Sequence, residues 1–115
     1  MKYIIPPKLK KGDEIRVIAP SRSLSLLSEE NIQLAKANLE KEGYIVSFSK
    51  HCRESDMFMS SSIRSRVQDI HQAFKDKKVK AILTAIGGFN SNELLPYLDY
   101  KLIKNNPKIL CGYSD

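Results

Sequence analysis

What the chain lacks narrows it first. Nowhere in its 115 residues is there a run of about 18 apolar residues, so no membrane-spanning helix is expected. The start, Met1-Lys2-Tyr3-Ile4-Ile5-Pro6-Pro7, has one lysine and a short apolar pair ahead of two prolines. It lacks the apolar segment of a secretory leader, and a cytoplasmic location is the expectation. Two cysteines, Cys52 and Cys111, are too few for a disulfide framework and have no partner spacing suited to zinc. Both are expected to be reduced, with Cys111 a small core residue of an apolar strand. No cluster of metal-ligating side chains stands out, and no internal repeat or low-complexity segment occurs.

The composition, 42% hydrophobic and 28% charged, is that of a globular protein, and the length suits one domain with one core. A net charge of +6, from 19 basic and 13 acidic residues, raises the question of nucleic acid. The lysines are scattered, however, and the group Lys75, Lys77 and Lys78 falls at an expected helix end, where cations favour the helix dipole. Without a nucleic-acid motif beside them, no nucleic-acid partner is expected.

Along the chain, residues 1 to 12 form an N-terminal arm interrupted by Pro6-Pro7. Ile15 to Ala19 reads as a β-branched strand stopped by Pro20, so Pro20-Ser21-Arg22-Ser23 is a loop at the strand's carboxyl end, the edge where open α/β sheets bind ligands. Ser28 caps a helix with Glu29 and Glu30 in its first turn, an apolar stripe of Ile32, Ala35 and Leu39, and Gly43 as its stop. Tyr44 to Ser49 is a second strand. Residues 50 to 62 make a long polar loop, and the serines at 60 to 62 offer an N-cap to a helix striped by Ile63, Val67, Ile70 and Phe74. Val79 to Ile86 is a third strand, nearly continuous in apolar character as a doubly covered parallel strand would be. After Gly87-Gly88-Phe89-Asn90-Ser91-Asn92 come a short helix near Leu94, a second around Asp99 to Lys104, and a fourth strand from Lys108 to Cys111. Strand alternating with helix predicts an α/β domain with a mainly parallel, flavodoxin-like or Rossmann-like sheet of about four strands.

Chemistry concentrates at the ends of these strands. In Gly112-Tyr113-Ser114-Asp115 a strand runs into a serine, as it does where a sharp turn lifts a nucleophilic hydroxyl off a sheet; a polar strand end is the plainer reading. Gly87-Gly88 follows the third strand, so its amides can face an anion, or the pair can be only a turn. A phosphate loop is disfavoured, because neither Gly-x-Gly-x-x-Gly nor a Gly-Lys-Ser/Thr ending is present. A serine needs a base and an orienting group. His71 lies at the edge of a helix stripe, His51 sits in the long loop near Glu54 and Asp56, and neither is fixed as a base by the sequence. The acids read as caps and solvated surface.

The segments Pro7-Lys8-Leu9-Lys10-Lys11-Gly12-Asp13 into Ile15-Arg16-Val17-Ile18-Ala19-Pro20-Ser21, Ala81-Ile82-Leu83 through Gly87-Gly88-Phe89-Asn90-Ser91-Asn92-Glu93-Leu94-Leu95-Pro96-Tyr97-Leu98-Asp99, and Asn106-Pro107-Lys108 into Gly112-Tyr113-Ser114-Asp115 follow one another in a familiar order. Together they resemble the N-terminal domain of the LD-carboxypeptidase family of serine peptidases, which includes the microcin C self-immunity peptidases. The resemblance implies a cytoplasmic, cofactor-free, metal-free hydrolase working through an acyl-enzyme. Ser114 would be its nucleophile and the amides of Gly88 and Asp115 its oxyanion hole, with Gly87, Asn90 and Ser21 as substrate-loop candidates. It further implies a glutamate and a histidine supplied by a C-terminal domain of the same protein, a small peptide or peptidyl-nucleotide substrate, and room for a homodimer. On this reading residues 1–115 are a nucleophile domain, inactive alone.

Murein-recycling members of that family commonly carry Gly-Gly-x-Gly-Ser-Asn, where this chain has Asn90 at the fourth position, and a more acidic stretch in place of Ser60-Ser61-Ser62-Ile63-Arg64. Both departures resemble the microcin-immunity branch and weigh against a murein tetrapeptide. The contrasting class is a non-catalytic ligand-binding or structural α/β domain.

Overall fold

Short β-branched runs alternate with helices that begin on serine or aspartate, and a computed structural model describing residues 2–115 joins them into one parallel sheet. The strands are β1 (Glu14–Ile18), β2 (Ile45–Phe48), β3 (Val79–Thr84) and β4 (Ile109–Cys111). The helices are α1 (Glu29–Lys41), α2 (Ile63–Lys75) and α3 (Tyr100–Asn105), with 3-10 turns at Leu24–Leu26 and Ser91–Tyr97. Every pairing is parallel and the strand order is β2-β1-β3-β4, which is the flavodoxin-like order. The expected α/β fold is the observed one. Among the described residues no helix is long and apolar enough to cross a membrane.

The caps form as the side chains dictate. Ser28 Oγ accepts from the Asn31 amide and Ser62 Oγ from the Ser65 amide, both at 3.1 Å, so each satisfies one otherwise orphaned donor of a helix start. Beyond α1, Gly43 turns back at φ +98°, a conformation available to glycine without strain. On one side of the sheet Val67, Ile70, Ala73 and Phe74 of α2 pack with Ile18, Val79, Ile82 and Leu94. On the other, Ala19, Leu24, Ile32 and Cys52 gather with Leu27, Phe48 and Ala85.

Two expectations change. Cys111 is exposed rather than in the core, and its neighbour Leu110 is 59% exposed, because β4 is the edge of the sheet and is paired only with β3. The α1 stripe buries only Ile32 fully; Ala35 and Leu39 line a shallow apolar groove between α1 and the sheet instead. The long polar loop over residues 50–62 is pinned to the exit of β1. The Ser23 amide donates to the Met59 carbonyl at 2.7 Å and the Leu24 amide to the Cys52 carbonyl at 2.8 Å, so the loop lies along the exit from β1.

Register then decides where the loops emerge. Ile18 pairs with Thr84 and Leu83 with Cys111, so β1, β3 and β4 end side by side. Three residues past the end of each stand Ser21, Gly87 and Ser114.

Candidate active site

Ser114 is exposed and has φ +66°, in the left-handed region that costs a residue with a Cβ about 1–2 kcal/mol. Strain of that kind gathers at functional positions, and a strained turn straight after a strand is what presents a nucleophilic hydroxyl above a sheet. Gly112 lets the turn begin: a Cβ there would stand 2.6 Å from Thr84 Oγ1 on β3. Gly87 keeps it open, since a Cβ at Gly87 would stand 3.0 Å from both Cβ and Oγ of Ser114 and 3.3 Å from the Asp115 amide nitrogen. The glycine pair and the serine are thus neighbours across the β3–β4 edge. Among the described residues no backbone or side-chain acceptor takes a hydrogen bond from the amides of Gly88 or Asp115.

The Asp115 side chain locks this arrangement. Ser21 Oγ donates to Asp115 Oδ2 at 2.6 Å, the Ser91 amide donates to the same oxygen at 3.1 Å, and Ser91 Oγ donates to Oδ1 at 2.5 Å. These donors, the Ser21 hydroxyl first and the Ser91 hydroxyl next, pull the Asp115 carboxyl down to about 2. Asn90 joins the network: its Oδ1 lies 3.0 Å from Ser21 Oγ, and its Nδ2 donates to Ser60 Oγ at 2.8 Å. Three strand-end loops and the start of α2 are therefore knit by short polar side chains.

Beneath them lies a residue that the sequence did not single out. Arg66, on α2 and only 3% exposed, donates through Nε to the Ser61 carbonyl at 2.8 Å. Its Nη1 donates to the carbonyls of Pro20 at 3.0 Å and Asn90 at 3.2 Å, and its Nη2 to Glu93 Oε1 at 3.2 Å. One planar cation fixes the backbone on both sides of the Ser21–Asn90 contact. A helix stripe assigns arginine to solvent; the only sequence hint was its place beside Val67 on the buried arc.

Ser114 opens onto a recess of about 470 Å³, bounded by Gly87, Gly88, Phe89, Tyr113 and the Arg22 side chain. Neither histidine lines it. His51 pairs through Nδ1 with Glu54 at 2.5 Å, which holds the Glu54 carboxyl below its usual range, and its amide donates to buried Asp69, whose carboxyl is raised by desolvation. His71 Nε2 accepts from the Asp99 amide at 2.9 Å. Both histidines border a separate recess with Arg16 and Asp69. Among the described residues no three metal-ligating side chains converge.

Residues 15–115 match the family model described as the LD-carboxypeptidase N-terminal domain. The chain belongs to the LD-carboxypeptidase family. A relative within it, the putative carboxypeptidase YocD of Bacillus subtilis, is 61% identical over 94% of this chain and 33% of its own length. The microcin C7 self-immunity protein MccF of Escherichia coli is 31% identical over 97% of this chain and 33% of its own. The crystal structure of an MccF-like protein from Bacillus anthracis superposes with a TM-score of 0.96 at 62% identity, covering 97% of this chain and 34% of that one. The chain thus spans about a third of the length of the LD-carboxypeptidase relatives it matches.

Proposed function

We propose that this chain is the N-terminal nucleophile domain of a serine carboxypeptidase or amidase that cleaves its substrate through an acyl-enzyme. The observation that carries the reading is the left-handed turn at Ser114, at the carboxyl edge of a parallel sheet and beside Gly87. In this reading Ser114 Oγ attacks the scissile carbonyl carbon as a base takes its proton. The carbonyl oxygen gains charge and accepts from the free amides of Gly88 and Asp115. Collapse of the tetrahedral adduct breaks the C–N bond, the amine leaves with the proton returned by the base, and water then hydrolyses the ester at Ser114.

The base and its orienting carboxylate come, on this proposal, from a C-terminal domain as a histidine and a glutamate, since the recess at Ser114 has no histidine of this chain on its walls. Substrates fitting the family are an L,D-peptide bond of murein peptides or the amide of a microcin C-like peptidyl-nucleotide. Asn90 and the stretch Ser60-Ser61-Ser62-Ile63-Arg64 are the two places where this chain leaves the murein-type motifs, which favours the peptidyl-nucleotide. The location proposed for the whole protein is the cytoplasm, where free thiols such as Cys52 and Cys111 persist.

The test is a fluorophosphonate serine probe on the full-length protein. Labelling that disappears in Ser114→Ala supports the enzyme; an unlabelled wild type supports a non-catalytic binding domain instead.

A further inference from the structure

The chain has five arginines, and three of them are already engaged by carboxylates: Arg16 with Glu14 and Asp76, Arg53 with Glu29, and Arg66 with Glu93. Arg64 is exposed on α2. Arg22 differs from all four. It is partly buried at the wall of the Ser114 recess, and among the described residues it makes no ion pair. Its guanidinium instead lies over the Phe89 ring, 5.1 Å from the centroid. No other side chain on the wall of that recess carries a formal charge.

A cation stacked on an aromatic face is held by one surface, while its N–H edge stays available to an anion. The stem is set as well. A Cβ at Gly88 would stand 2.9 Å from Arg22 Cγ and 3.4 Å from the Arg22 amide, so the chain of methylenes runs against the glycine pair. Phe89 is 87% exposed, and the Arg22 guanidinium lies over its ring at the open side of the recess. The carboxylate that follows Ser114, on Asp115, is already occupied by Ser21 and Ser91.

We propose that Arg22 is the anion-recognition residue of the Ser114 recess, taking a carboxylate or phosphate on the substrate close to the bond that is cut. This rests on the reading of Ser114 as nucleophile and adds the class of substrate: one that bears a negative charge on the leaving side. A peptide cut at its last residue offers the free α-carboxylate there; a peptidyl-nucleotide offers its phosphate. Either anion would find a planar, pre-positioned donor that makes no ion pair among the described residues.

The experiment uses full-length Ser114→Ala protein, so that ligands stay intact, and measures binding by titration calorimetry of three probes. These are N-acetyl-L-lysyl-D-alanine, its C-terminal carboxamide, and adenosine monophosphate. Adding Arg22→Gln is expected to weaken at least one of the two anions tenfold or more, leave the carboxamide within twofold, and be largely rescued by Arg22→Lys. Loss confined to the peptide assigns the carboxylate, and loss confined to the nucleotide assigns the phosphate. The proposal is overturned if Arg22→Gln changes neither anion, if it weakens the carboxamide equally, or if the protein with Arg22 binds neither anion. Should Arg22→Gln not fold, the Arg22 protein alone decides: equal affinity for the carboxylate and carboxamide peptides, together with no salt dependence in the binding of adenosine monophosphate, overturns it. Probe labelling of wild type at Ser114 is read separately, so Arg22-dependent anion binding without labelling removes the nucleophile and leaves the anion site standing.

Discussion

Ser21 and Asp115 are 94 residues apart in the chain and 2.6 Å apart in space, hydroxyl to carboxylate. The contact ties the exit of β1 to the residue that follows Ser114, and so fixes the direction of the amide at Asp115. Ser21→Ala removes a charge-assisted donor, worth about 1.5–3 kcal/mol, and frees that turn. We expect a modest drop in melting temperature together with a larger loss in kcat of the full-length protein, about tenfold or more, at little change in KM. An unchanged kcat would show that the clamp has no bearing on the chemistry.

The same carboxylate predicts an acid limit. Its hydrogen-bond donors hold the folded-state pKa near 2, below the ordinary 3.8, so the folded state binds fewer protons than the unfolded one between those values. The stability it contributes is present above about pH 4 and is lost as pH falls toward 2. Urea titrations from pH 2 to 5 should show Asp115→Asn losing this part of the slope, while the contributions of Asp13 and Asp76, also held low, remain. Identical slopes in variant and wild type would contradict the clamp.

Removing the buried cation should be severe. Arg66→Met leaves the carbonyls of Pro20, Ser61 and Asn90 without their donor, and we expect a loss of about 3 kcal/mol in chemical denaturation. Arg66→Lys should recover less than half, since one ammonium cannot reproduce the geometry of a planar fork. Full recovery by lysine would mean that charge alone matters there.

Space beside the hydroxyl makes a sharper prediction. Gly87→Ala places a methyl carbon 3.0 Å from Ser114 Oγ, in the corridor by which a carbonyl would approach. Serine-probe labelling of the full-length protein should slow about a hundredfold, with a melting temperature within a few degrees of wild type. Labelling at the normal rate would place the approach path elsewhere.

The local elements were legible because their signals are local. Ser28 and Ser62 precede apolar stripes, and Ile15 to Ala19 ends on a proline; each reads correctly without knowing any distant neighbour. The polar framework of the site was not legible, since it depends on which strands lie side by side. Arg66 and Asp69 sit on a helix whose pattern sends charges outward, yet both are buried because loops from β1, β2 and β3 close over them. Cys111 failed in the opposite sense: an apolar tripeptide looks covered, and only the strand order reveals that it is at the margin. Arg22 looked like any loop cation until Phe89, 67 positions later, came beneath it.

The alignment of Ser21, Gly87 and Ser114, each three residues beyond its strand, makes this centre a gauge of pairing fidelity. Side chains on a strand swap faces with every residue. If β4, joined to the sheet through only three residue pairs, shifted by a single position against β3, the hydroxyl would be carried away from the glycines and Asp115 would lose Ser21. On the proposed reading, reactivity at Ser114 would then vanish while most of the packed interior stayed as it was, so probe labelling there would report on a briefly paired edge strand.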